Sequence, residues 1–273
     1  MIWMNLPEEY RKGKFVILPI EYEGKVSYGK GAMDGSKEII AASLQLEYYD
    51  CEFDCEPFEK GIELLNAVTD LSEIANLVNE KFTVFLGGDH AITISTVKAL
   101  EKVHDEFSVI IFDAHPDMFH SWNGSENNHR CVSARVSNNH ELALLGVRSM
   151  DRDEKNIIDN HENVHLVKAD ELSLDKIKEI LPKLKQKVYL SIDVDVFDPS
   201  FIRNTGTPEP GGMQWQELIN SLKLIFSEKE VIAADIVEFS PLENYRAEAY
   251  SLAKLVYKIL ALQDNNPFKE TKL

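Results

Sequence analysis

Continuous apolar runs alternate with longer stretches of mixed character along most of this chain. Runs rich in Val, Ile and Phe cover residues 15–20, 82–86, 108–112, 142–147, 164–167, 188–192 and 232–237. Several are continuous rather than alternating, which is the pattern of strands buried on both faces. Between them apolar positions recur at helical spacing, predicting helices over 60–80, 91–104, 151–159, 173–184, 213–227 and 247–263. In the 91–104 segment Ile94, Val97, Leu100 and Val103 share a helical face, entered from a Gly-Gly-Asp-His turn. Strand, loop, helix and strand in repetition imply right-handed βαβ units and an α/β fold whose mainly parallel sheet lies between helical layers.

No linker, internal repeat or low-complexity block interrupts this rhythm. The 273 residues therefore read as one domain, 1–273, with a polar, Pro-containing tail at 264–273 expected to fray. Three loops stand out: 24–35 with four glycines, polar 118–128, and Pro/Gly-rich 197–212. The last two follow strand ends, and in open α/β sheets ligands bind outside the carboxyl ends of strands.

The chemistry-bearing residues gather at the same ends. Gly87-Gly88-Asp89-His90, Asp113-Ala114-His115-Pro116-Asp117 and Asp193-Val194-Asp195 each follow an apolar, strand-like run. At a strand end, residues i and i+2 point to one side, so Asp113 can converge with His115, and Asp193 with Asp195. Asp117 can bend back from the turn, and the Gly-Gly pair lets the backbone turn sharply before His90. Carboxylates with two oxygens suit a pair of divalent ions about 3.5–4 Å apart, with one Asp from each of two strands bridging. Six ligand-type side chains at three strand ends would be costly to bury without cations. Oxygen-rich ligation with some imidazole and no thiolate favours Mn²⁺, with Co²⁺, Ni²⁺ or Zn²⁺ as substitutes.

Charge and cysteine content narrow the picture. Lys and Arg number 29 against 46 Asp and Glu, a formal net charge of −17. Nucleic acid and anionic membranes are thereby disfavoured as partners, while a small cationic substrate meets a favourable field. No apolar run approaches the roughly 20 residues of a membrane span. The first residues lack the order of a secretory signal. Cys51, Cys55 and Cys131 are too few and too odd for a disulfide framework, so a reducing cytoplasm is expected. Cys51 and Cys55 have no second pair with which to complete a zinc site. A nucleotide-binding reading of Gly87-Gly88 lacks the G-x-G-x-x-G or Walker spacing.

The chain resembles the ureohydrolases: arginase, agmatinase, guanidinobutyrase, proclavaminate amidinohydrolase and formimidoylglutamase. The resemblance rests on the GGDH turn, the D-A-H-x-D segment and the S-x-D-x-D-x-x-D-P segment, in that order. YGKGAMDGSKEI, Gly146-Val147-Arg148, Thr205-Gly206-Thr207-Pro208 and Asp235-Ile236-Val237-Glu238 extend it over nearly the whole chain. It implies a three-layer α/β/α sandwich with a central sheet of about eight strands, two Mn²⁺ ions and a homo-oligomer, trimer or hexamer. By position, His90, Asp113, Asp117 and Asp193 match the ligands of one ion. Asp113, His115, Asp193 and Asp195 match those of the other, with Asp113 and Asp193 bridging. Glu238 matches the acid that pairs with a guanidinium, and His129 the imidazole that relays a proton to the departing amine. Asp198 is expected to shape its loop rather than bind metal.

Arg130 departs from the pattern, since a small residue is usual after that histidine. It is expected to repel a cationic substrate, recruit a carboxylate-bearing one, or fold away. Asp151 and Glu154 fall near where the far end of a substrate would lie. The implied reaction is hydrolysis of a guanidinium C–N bond, foremost agmatine to putrescine and urea as in polyamine biosynthesis. YGKGAMDG and the H-x-C-V run at His129–Val132 look closer to agmatinases than to arginases. Guanidinobutyrase, arginase or formimidoylglutamase activity is the alternative within the family, and a non-catalytic metal-binding scaffold the alternative outside it.

Overall fold

The computed structural model describes residues 1–24 and 28–269, so residues 25–27 of the predicted glycine loop and 270–273 of the predicted frayed tail lie outside the described residues. Eight strands are formed: β1 (Phe15–Pro19), β2 (Ile62–Leu64), β3 (Phe82–Leu86), β4 (Ser108–Phe112), β5 (Leu142–Val147), β6 (Val164–Lys168), β7 (Lys187–Asp193) and β8 (Glu230–Val237). They build one sheet in the order β2-β1-β3-β8-β7-β4-β5-β6. Every pairing is parallel.

The α-helices are α1 (Gly35–Ser43), α2 (Ile74–Leu77), α3 (Ile92–Leu100), α4 (Val132–Val136), α5 (Arg152–Asp159), α6 (Leu174–Ile180), α7 (Trp215–Glu228) and α8 (Ala247–Asp264). The two-residue period of each strand divides its side chains between two cores. Ile110 and Phe112 of β4 join Ile39, Leu222 and Val256 on the face covered by α1, α6, α7 and α8. Val109 and Ile111 join Ile92, Val97, Val132 and Ile158 on the face covered by α2 to α5. Burial on both sides is why the strand sequences are continuously apolar. The expected three-layer α/β/α sandwich is the fold observed.

The helix expected over 60–80 is not formed. A 3₁₀ turn ends at Lys60, Gly61 takes φ 78°, and Ile62–Leu64 then pairs with β1 as the edge strand β2. The apolar residues at 62, 65 and 68 imitate a helical spacing, but Ile62 and Val68 serve an edge pairing: Ile62 aligns with Phe15, and Val68 bridges Ile20. Only Ile74–Leu77 of the predicted span is α-helical. Two helices had no counterpart in the expectation: α1, which starts at Gly35 on the margin of the glycine-rich loop, and short α4. At the carboxyl end, α8 includes Asp264, which pairs with Lys14 at 2.7 Å. Buried Asn266 donates to the Lys229 carbonyl at 3.2 Å.

The order of strands positions the site. Strands β3, β8, β7 and β4 are neighbours at the centre of the sheet, and their carboxyl ends carry His90, Glu238, Asp193 with Asp195, and Asp113 with His115 and Asp117. The first three strands lie to one side, β4 to β6 to the other, and β7 and β8 fill the middle. That reversal is the switch point where open α/β sheets open a crevice.

Candidate metal centre

The turn after β3 is tight. A side chain at Gly88 would overlap the Tyr22 carbonyl, so a residue without Cβ is required where the two backbones meet. His90 follows, 1% exposed, with its Nδ1 3.1 Å from Asp113 Oδ2, 3.1 Å from Asp117 Oδ2 and 3.4 Å from Asp193 Oδ2. Despite that proximity, His90 Nδ1 and Asp113 Oδ2 each lack a hydrogen-bond partner. A second group adjoins the first: His115 Nδ1 lies 2.9 Å from Asp195 Oδ2 and 3.6 Å from Asp113 Oδ1. Asp113 thus faces both groups, one oxygen to each.

Deeper contacts fix these side chains. The other ring nitrogen of His90 lies 3.1 Å from Ser191 Oγ, which donates to the fully buried Asp235 at 2.6 Å. Thr93 and Tyr189 donate to the same carboxylate at 2.6 and 2.5 Å. This network orients the imidazole and leaves Nδ1 turned toward the carboxylates. Asp193 accepts from the Asp195 N–H at 2.9 Å, and Asp113 from the His115 N–H at 2.5 Å. Asp117 has φ 50° and Glu238 has φ 65°, left-handed values that cost free energy in residues bearing a Cβ and recur where a side chain is aimed by force of its surroundings.

The crowding of carboxylates is visible in their protonation. Burial pushes Asp117 up to about 7, with the Asp113 charge adding to it. Burial and then Asp195 raise Asp193 well above the carboxylate range. Burial alone would lower His115, but Asp113 and Asp195 outweigh it and push the imidazole up to about 12. Several buried acids raised together, beside an imidazole nitrogen and a carboxylate oxygen without hydrogen bonds, are what a donor set for divalent cations presents. His90, Asp113 and Asp117 converge closely enough to hold one ion, and Asp113, His115 and Asp195 another. Asp193 stands against the first group through its 3.4 Å approach to His90. The residues present fit a pair of divalent cations.

A cavity of about 240 Å³ opens above this cluster, lined among others by His115, Asp117, His129, Arg130, Glu209 and Glu238. Glu238 accepts from the His90 N–H at 2.6 Å through Oε1. Its Oε2 faces Gly206 on the cavity wall. Burial and then Asp89 hold the Glu238 carboxyl well above its ordinary range, the state of an acid awaiting a cation. His129 also lines the cavity, and burial, with the His90 and Arg130 charges adding, lowers it to about 4. Its ring is therefore neutral at pH 7.

Arg130 reaches the cavity but is engaged elsewhere. Its guanidinium stacks on Phe119 and Trp122, 4.5 and 4.1 Å from their centroids, and donates to Asp151 at 3.0 Å. Asp151 and Glu154 are not among the described residues lining the cavity. Glu154 is 1% exposed, and its two oxygens accept the N–H groups of Met118 (3.1 Å) and Asp151 (3.0 Å) in a capping box that starts α5. Both acids brace the segment that carries Arg130, Asp151 through its guanidinium and Glu154 through the Met118 N–H. Asp198 shapes its loop as expected, accepting from Ser200 and Gly211 at 2.9 and 2.7 Å. Glu209 and Arg148 line or brace the cavity without having been singled out. The Pro-Glu-Pro setting of the first and the G-V-R setting of the second were the signals available.

Residues 13–261 match the model of the Arginase family. The N(1)-aminopropylagmatine ureohydrolase of Synechocystis sp. is 35% identical over 277 residues, covering 92% of this chain and 89% of that protein. The agmatinase of Pyrococcus horikoshii is 32% identical over 278 residues, covering 95% of each. Among solved structures, agmatine ureohydrolase of Thermoplasma volcanium superposes with a TM-score of 0.83 at 24% identity, over 99% of this chain and 96% of that one. Formimidoylglutamase from Bacillus subtilis does so with 0.85 at 24% identity, over 94% and 89%. At that identity the structures speak for the fold alone, while the sequence matches go further. The chain belongs to the arginase family, whose agmatinases and related ureohydrolases are amidinohydrolases.

Proposed function

We propose that this enzyme hydrolyses the guanidinium C–N bond of a small aliphatic polycation, agmatine or its N(1)-aminopropyl derivative, releasing urea and an amine. The observation that carries this reading is the placement of Glu238 beside two converging carboxylate–imidazole groups on the floor of one cavity. His90, Asp113, Asp117 and Asp193 would hold one divalent cation, and Asp113, His115, Asp193 and Asp195 the other, with Mn²⁺ best suited to such donors. Such a pair would supply a water made acidic enough to attack at neutral pH.

The chain's own groups do the rest. Glu238 Oε2 receives the guanidinium and fixes its plane over the cluster. Asp117, on the cavity floor with its Oδ2 3.1 Å from His90 Nδ1, takes the proton of the attacking water. His129, neutral at pH 7, relays a proton from solvent to the departing amine. A one-domain enzyme, a homo-oligomer and a cytoplasmic location remain part of this reading. No helix among the described residues is long and apolar enough to cross a membrane. A carboxylate-bearing substrate is the second reading, favoured by the guanidinium of Arg130 among the described residues of the cavity wall.

The test is urea release after Mn²⁺ reconstitution on agmatine, N(1)-aminopropylagmatine, arginine and 4-guanidinobutyrate, with formamide release from formimidoylglutamate and Asp193→Ala as the blank. Turnover of an amine-tailed guanidine, abolished in the variant, is the expected result. Turnover confined to carboxylate-tailed substrates would overturn the substrate assignment, and no turnover of any would overturn the hydrolase.

A further inference from the structure

Glu209 is carried on a backbone that the fold holds in place, and its carboxylate has no partner among the described residues. It stands between Pro208 and Pro210, whose rings fix φ on both sides of it. Arg148 grips the segment from below, donating to the Glu209 carbonyl at 2.8 Å through Nη2 and to the Pro210 carbonyl at 3.1 Å through Nε. The same guanidinium donates to the Asp195 carbonyl at 2.6 Å. One side chain therefore ties the Glu209 loop to the turn that carries Asp195. Asp198 closes the loop from the other end through the Gly211 N–H. Among the described residues the Glu209 side chain makes no ion pair and no hydrogen bond, yet it lines the cavity with Glu238.

The two acids share one cavity, which admits a substrate with charge at both ends. Glu238 Oε2 faces Gly206, and Glu209 is three residues further along the loop, at most about 10 Å of chain. Among the described lining residues outside the carboxylate–imidazole cluster, the other charged group is Arg130, whose guanidinium is matched by Asp151. An acid on a braced backbone, with no counter-ion among the described residues, favours an ammonium, and the ordering of its loop has already been met in folding. We propose that Glu209 is the residue that selects substrates by their tail, pairing with the ammonium of an aminoalkylguanidine whose other end lies on Glu238. This rests on the hydrolase reading above and adds to it the residue that reads the substrate's tail, a second positive charge about four carbons from the guanidinium.

The experiment compares agmatine with 1-butylguanidine, which has the same guanidinium and chain length but no amine, in the wild type and Glu209→Gln, with Mn²⁺ supplied. Steady-state urea release is measured beside calorimetric affinity for each ligand. In the wild type agmatine should bind at least about tenfold more tightly, the scale of one charge-assisted contact. Glu209→Gln should raise KM for agmatine by about that factor, leave kcat within about twofold, and leave butylguanidine unchanged. Equal affinities in the wild type, or an equal loss for both ligands in the variant, would overturn the assignment. Because affinity is read separately, failure of Glu209 as selector and failure to release urea from any guanidine are distinguishable.

Discussion

Glu238 accepts the backbone N–H of His90 at 2.6 Å, so the acid of the cavity floor and the imidazole of the carboxylate cluster are fixed to one another across adjacent strands β8 and β3. This bond uses one Glu238 oxygen and leaves the other for a ligand. Glu238→Gln keeps an acceptor for the His90 N–H but removes the charge. The expected outcome is a fall in kcat/KM of about 10²–10³-fold, the scale of losing one preorganised electrostatic contact to the reacting group. Metal stoichiometry, measured by elemental analysis, should be unchanged. Loss of bound metal in this variant would place Glu238 in the cation site instead.

The strand ends that carry Glu238, His90, Asp113 and Asp193 were legible because apolar runs buried on both faces end abruptly in polar residues. A helical spacing at Ile62, Leu65 and Val68 misled, since only tertiary pairing decides whether so short a segment becomes an edge strand. Helix α1 was hidden by the glycines at its entry. Arg130 and Asp151 are 21 positions apart on separate loops, and no local pattern announces such a contact. Glu209 was marked only by its Pro-Glu-Pro setting, because its significance lies in what does not touch it among the described residues.

Proton release should accompany metal uptake. In the metal-free protein His115 is pushed up to about 12 and Asp117 up to about 7, so near neutrality the first is protonated and the second half so. A divalent cation needs a neutral imidazole and ionised carboxylates, so binding expels the His115 proton together with those that Asp117 and Asp193 carry. The sign follows: lowering the pH strengthens the competing proton and weakens metal binding, and raising it from about 6 to 8 should tighten binding by about tenfold from Asp117 alone. Calorimetry in buffers of different ionisation enthalpy measures the protons directly. Mn²⁺ at a hundred times its Kd should also stabilise the fold by about 2.7 kcal/mol, reversed by a chelator. A pH-independent affinity would contradict this account of the cluster.

Arg130→Ala tests the aromatic sandwich. Stacking on Phe119 and Trp122 and the half-exposed pair with Asp151 together should contribute about 1–2 kcal/mol, most of it from the rings, because an exposed ion pair adds little. Urea denaturation should show that loss, with a change in Trp122 fluorescence. Turnover of agmatine should persist. A selective loss of 4-guanidinobutyrate turnover, with stability unchanged, would instead assign Arg130 to a substrate carboxylate.

A buried ion pair far from the cavity should matter for stability and not for turnover. Asp50 is fully buried and Lys258, on α8, is 5% exposed, and the two meet at 2.9 Å, joining the turn at 50–55 to the carboxyl-terminal helix. Lys254 lies 3.4 Å from the other Asp50 oxygen. Burial alone would raise the Asp50 carboxyl, but Lys258 and Lys254 outweigh it and hold it below its ordinary value. The stabilisation is therefore present above the unfolded pKa and lost as the pH falls through the folded one. Lys258→Met leaves a buried carboxylate short of its nearest partner, and should cost about 3 kcal/mol at pH 7. In the variant Asp50 can take up a proton at a higher pH, which relieves the penalty. Stability curves of wild type and variant, from urea denaturation between pH 7 and pH 3, should therefore converge in acid. Adding Asp50→Asn should restore much of the loss at pH 7, because the uncompensated charge is gone. A penalty that stays constant with pH, or no recovery in the double variant, would mean that Lys258 acts through the packing of its aliphatic stem on Phe53 rather than through its charge.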